Sequence, residues 1–133
     1  MTTPSAAGLV TVRSAHSVAV TVDRLAAAVA EAGLNVFARI DHAQNAAEAG
    51  LELRPTELLI FGHPRGGTPL MREQQTSGID LPVKALAWED PEGTVWLTYN
   101  DATWLAERHG IAPSPSVTAI ENGLKLLVGK AVG

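Results

Sequence analysis

LLIFGHPRGGTPLM, residues 58–71, puts a buried strand, a glycine-rich turn and a helix start into one short stretch. Leu58 to Phe61 is a short, unbroken apolar run, the pattern of a strand covered on both faces. Gly62 ends it. Gly66 and Gly67 permit positive φ and close approach by a ligand or another backbone. Thr68 suits a helix N-cap and Pro69 the first helical position, where no backbone donor is lost. Free amides of such a first turn attract anions, and His63 and Arg65 stand beside them. Gly62 and Gly67 have G-x-x-x-x-G spacing, but no Lys follows the second glycine, so the stretch does not read as a nucleotide-hydrolysing phosphate loop. Two readings stay open: an anion or ligand site, or a tight strand-to-helix connection whose glycines serve geometry alone.

Upstream, Leu9 to Arg13 reads as a strand. A helix capped by Ser17 carries Val18, Val22, Leu25 and Val29 on one face and stops at Gly33. Leu34 to Ile40 is a second strand, with Leu34, Val36, Ala38 and Ile40 on one face. Asp41, with Gln44 three residues on, looks like the cap of a short helix over 43–49. Downstream, a helix is expected to about Thr76. Strands 83–89 and 94–99 flank the turn Asp90-Pro91-Glu92-Gly93 as a hairpin. Asn100 or Asp101 caps a further helix. Ser116 caps a last one over 116–132, where Val117, Ile120, Leu124, Leu127 and Ala131 form an amphipathic face.

With 133 residues, 46% hydrophobic and 18% charged, the chain is long and apolar enough for one globular domain rather than a disordered segment. No internal boundary is visible, and residues 1–8 are expected to be frayed. The ten Lys and Arg are scattered and the net charge is −4, which argues against nucleic acid as a partner. The absence of cysteine excludes disulfides, thiolate metal sites and a cysteine nucleophile. No apolar run approaches the ~18 residues of a membrane span, and no charged-then-apolar leader opens the chain, so a cytoplasmic protein without membrane contact is expected.

Chemistry is sparsely signalled. None of His16, His42, His63 and His109 pairs at metal-box spacing, so no metal ligand set is assigned and no cofactor is named. His42 and His63 would meet if the ends of the second and third strands came together, with Asp41 orienting His42. Arg13, Arg39 and Arg65 could form an anion pocket. Glu89, Asp90 and Glu92 cluster on a hairpin turn, where a charge run is usually solvated. No G-x-S-x-G elbow supports serine catalysis.

FARIDHAQNAAEAGLELRPTELLIFGHPRGGTPLM, then GIDLPVKALAWEDPEGTVWLTYND and LAERHGI, resembles the bacterial and archaeal family called domain of unknown function 302, from about Val10 to Ile111. Asp41-His42 and Gly67 to Met71 fit its pattern, whereas the usual motif has Asn where this chain has His63. The resemblance implies a small two-layer α/β protein and a homodimer, and it implies no activity.

The fold expected is therefore a two-layer α/β sandwich: a mixed five-stranded sheet with helices mainly on one face. The function expected is a homodimeric module that binds a small anionic ligand through His42, His63, Arg65, Gly66, Gly67 and Thr68. The alternatives are an enzyme with Asp41 and His42 as base pair and Arg65 as oxyanion partner, or haem or metal binding through His42 or His63. A surplus of apolar surface, with Trp88, Trp96, Tyr99 and Trp104 close in sequence, also motivates the homodimer.

Overall fold

The computed structural model describes residues 3–133; Met1 and Thr2, the outermost part of the expected frayed end, lie outside the described residues. Strands β1 (Leu9–Ser14), β2 (Asn35–Asp41), β3 (Thr56–Gly62), β4 (Lys84–Glu89) and β5 (Val95–Asn100) form one sheet in the order β1-β5-β4-β3-β2. The helices are α1 (Val18–Glu31), α2 (His42–Glu48), α3 (Pro64–Glu73), α4 (Ala102–Arg108) and α5 (Pro115–Val132), and a 3-10 segment spans Gln75–Asp80.

The two-layer α/β architecture is the one expected, but every strand pairing is antiparallel, so the sheet is not mixed. Strand–helix alternation misleads here because α2 and α3 are excursions, not crossovers. Asp41 at the end of β2 pairs with Glu57 at the start of β3, so α2 leaves and returns at the same end of the sheet. Likewise Ile60 near the end of β3 pairs with Lys84 at the start of β4. Only α1 carries the chain across the sheet, from one edge strand to the other.

One face of the sheet holds the core. Along β3, Glu57, Leu59 and Phe61 are buried, while Leu58 and Ile60 on the opposite face are half-buried. The strand is thus covered on one face rather than on both. α1 lies over β3, β4 and β5, and α5 packs beside it. The helix α1 begins where Ser17 accepts from the Val20 amide and buries Val18, Val22, Leu25 and Val29. Full burial of a side chain such as Leu25 contributes about 1.5–3 kcal/mol. Its partner α5 starts two residues earlier than Ser116 would place it: Ser114 accepts from the Val117 amide and Pro115 takes the first helical position. Val117, Leu124, Leu127, Val128 and Ala131 are its buried face. A second apolar cluster joins α3, α4 and α5 through Leu70, Leu105, Ile111 and Val117.

Two local expectations change. The even alternation of β2 is broken by a bulge between Val36 and Ala38, which leaves Val36 and Phe37 exposed. The acidic hairpin turn is not simply solvated, because Asp90 is buried. Its carboxylate accepts from the Glu92 and Thr94 amides and, at 2.9 Å, from the Trp96 indole N–H. Trp96 is buried against this turn, with Trp88 beside it at a ring separation of 6.5 Å, and Tyr99 sits in the core. Trp104 covers Gly8, whose φ is +78° and where an added Cβ would fall 2.2 Å from a ring carbon, so there is no room for a side chain.

Candidate functional site

The chain turns out of β3 at Gly62, whose φ of +145° is open to glycine and little else. The conformational freedom expected of Gly66 and Gly67 is therefore needed four residues before Gly66, and both of those glycines lie inside α3 without positive φ. The N-cap is His63, not Thr68. Its Nδ1 accepts from the Arg65 amide at 3.1 Å, and Pro64 takes the first helical position. Either proline fits that position by sequence, and the first one encountered after an extended residue starts the helix. Pro69 ends up inside α3, and the helix finishes at Glu73 rather than near Thr76.

This start uses up the amides that would have held an anion. Pro64 has none, the Arg65 amide goes to His63 Nδ1, and the Gly66 and Gly67 amides go to the His63 carbonyl at 2.9 and 3.4 Å. What remains free at this turn, among the described residues, is side-chain capacity: the Arg65 guanidinium, His63 Nε2 and the Thr68 hydroxyl. With Nδ1 accepting, the neutral ring carries its proton on Nε2 and can donate.

Beside this turn lies a cleft of about 940 Å³ between α3 and α5, floored by Phe61 and Val83 and bordered by Leu34 and Phe37. That is within the range of small-molecule sites, roughly 300–1,000 Å³. His63, Arg65, Gly66, Gly67 and Thr68 all line it. His42 does not. It opens α2 at the opposite end of the sheet, separated from Gly62 by the whole β2–β3 pairing, roughly 20 Å at about 3.3 Å per residue. Asp41 spends its carboxylate on the Gln44 amide at 2.9 Å, capping α2. The base pair with Arg65 as oxyanion partner is therefore not assembled, and neither is a two-histidine site of His42 and His63. The three-arginine pocket also fails. Arg39 is held by Glu57 at 2.9 Å and Asp23 at 2.6 Å, and Arg13 is on the far edge strand. Among the described residues, no three His, Asp or Glu side chains cluster to hold a metal ion.

Sequence reading missed the other cleft walls. Ser116, Ala119 and Gly123 line it from α5, about one turn apart, and their small size was the only local signal. It also missed Asp80, which accepts from Arg108 at 2.9 Å and lies 2.6 Å from His109 Nε2, tying the 3-10 segment to the end of α4.

The family profile described as "Domain of unknown function DUF302" matches residues 10–128. The chain belongs to that family. A solved DUF302 structure, the uncharacterized conserved protein from Bacillus stearothermophilus, superposes with a TM-score of 0.75 over 96% of this chain and 97% of that one, at 20% identity, so the likeness is one of fold. Among curated relatives, "Fluoride-specific ion channel FluC 1" of Brucella suis biovar 1 is 52% identical over 128 residues, 95% of this chain and 50% of that protein. "Fluoride-specific ion channel FluC 2" of Brucella melitensis biotype 1 is also 52% identical, and there the match covers 47% of its length. This DUF302 chain thus spans about half the length of the curated relatives it matches, and no helix in its described residues is long and apolar enough to cross a membrane.

Proposed function

We propose that this DUF302 chain is a homodimeric ligand-binding module whose site is the cleft at residues 62–71, with His63 and Arg65 as its polar end. The observation that carries the reading is the cleft itself: about 940 Å³ beside a capped helix start, in a chain otherwise packed around two apolar clusters. Glycine supports it. Gly123 lines the cleft and a Cβ there would meet nothing within 4 Å, so no packing contact demands glycine in the middle of α5. The test is a small-molecule panel followed by amide chemical shifts. Shifts confined to 62–71 and 115–127 are expected, and their loss in Gly123→Phe. A panel that moves no cleft residue overturns the reading.

The dimer half of the reading rests on the uncovered sheet face, where Leu58, Ile60, Leu86 and Trp88 lie half-buried. A second copy on that face would need to bury more than about 1,000 Å² in total. Light scattering at micromolar concentration should give twice the 13.9 kDa chain mass, and the chain mass alone rejects the dimer. Cytoplasmic placement belongs to the same reading and is checked by cell fractionation.

A second reading takes its support from the Brucella relatives, in which a domain 52% identical to this one makes up about half of proteins named fluoride-specific ion channels. On that reading the domain acts beside a membrane channel. Fluoride efflux from vesicles holding such a channel should change when the chain is added, and an unchanged rate removes this reading.

A further inference from the structure

We infer that the cleft takes an apolar monocarboxylate: an acyl or aryl body lying between α3 and α5, with its single carboxylate on Arg65 and His63. This rests on the proposed ligand-binding cleft and adds the chemical class.

Three observations carry it. First, the walls are apolar, from Phe37, Phe61, Met71, Val83, Ile120 and Leu127, which suits a body that gains from leaving water. Second, charge is confined to one end. Arg65 is the lining residue with a permanent charge, His63 stands next to it, and no Asp or Glu lines the cleft. Among the described residues the Arg65 guanidinium has no ion-pair partner, so an incoming anion displaces nothing. Third, the amides at the start of α3 are already taken, by His63 Nδ1 and the His63 carbonyl. A phosphate group, which is usually cradled by several such amides, finds none to spare at the start of α3. A carboxylate needs only two acceptors met. The planar guanidinium fork matches it, and the Nε2–H of the neutral His63 can add a second donor.

The experiment titrates the labelled 133-residue chain with octanoate, octanol and inorganic phosphate, reading amide shifts and affinities for the native chain, Arg65→Ala and Gly123→Phe. Gly123→Leu stands in should the phenylalanine disturb the fold. Octanoate is expected to shift residues 62–71 and 115–127. Arg65→Ala should weaken octanoate about tenfold, the worth of a partly exposed charged hydrogen bond, while octanol changes little. The bulky residue at 123 should block both, and phosphate should not shift the cleft. Equal octanol and octanoate affinity, indifferent to Arg65→Ala, overturns the carboxylate inference and leaves the cleft reading intact. Phosphate binding as tightly as octanoate also overturns it. Failure of every apolar probe removes the cleft reading, and this inference with it.

Discussion

At the hairpin end of the sheet a buried carboxylate closes the structure, with Asp90 accepting from two amides and an indole. At the opposite end the first turn of α3 is satisfied by His63 alone, and the space beside it is left open between apolar walls where glycines and other small residues stand. Arg39 extends the closed construction by joining β2, β3 and α1 through Glu57 and Asp23. The open end is made of poor helix formers, since Gly66, Gly67 and Pro69 all fall within the short α3. The contrast indicates where this fold puts its stability and where it keeps room: polar side chains lock one end, and the lack of side chains opens the other.

The largest effects should fall on the closed end. Asp90→Ala removes every bond its carboxylate accepts, and its melting temperature should drop more than that of any cleft variant. Acid should do the same gradually. The Asp90 carboxyl is held below the usual carboxylate range, first by the Trp96 indole bond and then by the Thr94 and Glu92 amide bonds, against the opposing effect of its burial. A carboxyl depressed on folding contributes stability that is fully present above its unfolded value and is lost as pH falls through the folded one. The native chain should therefore lose stability below about pH 4, and tryptophan fluorescence should follow the loss. Asp90→Asn should start lower and show a shallower acid limb. An unchanged limb would mean that Asp90 is not what closes this end.

Arg39→Ala comes next. It leaves the buried Glu57 carboxylate, whose side chain is 10% exposed, without its cation. The cost should be about 2 kcal/mol in urea unfolding, moderated because Arg39 itself is partly exposed. Adding Glu57→Gln should return part of it. If the double variant is no better than the single one, the network is a surface ion pair of little worth.

At the open end the effects shrink. His63→Ala should cost about 1 kcal/mol, the usual worth of an N-cap, and His63→Asn should cost little because Asn accepts the same amide. An equal loss in both would assign His63 a role other than capping.

The same contrast explains what was legible in the sequence. Caps are local, so Ser17, Asp41 and Asp101 mark helix starts correctly, each accepting from an amide two or three residues on. Strand direction is not local. It depends on whether a helix returns to the end it left, which the pairing of Asp41 with Glu57 decides and the strand–helix alternation does not. The turn at 62–71 stands out from its glycines, His63 and Arg65, but the opposite wall of the cleft beside it comes from α5, some fifty residues later. His42 looked equivalent to His63 because both follow a strand. In an antiparallel pair, the residues after consecutive strands lie at opposite ends. Asp90 looked solvated because its partner, the Trp96 indole, reaches back across the hairpin.

The smallest expected effect is also the sharpest test of the open end. Gly123 sits mid-helix in α5, where glycine costs roughly 0.5–1 kcal/mol relative to alanine. It has no positive φ, and a Cβ there would meet nothing within 4 Å. Neither backbone conformation nor packing thus accounts for glycine at this position, which lies on the cleft wall. Gly123→Ala should stabilise the chain by up to about 1 kcal/mol in urea unfolding, and its added methyl should take volume from the cleft and weaken an apolar ligand. A gain in stability with unchanged ligand affinity would mean that the space at Gly123 is not used. A loss of stability would mean that α5 moves against a neighbour at this point, and that the cleft is narrower than its walls imply.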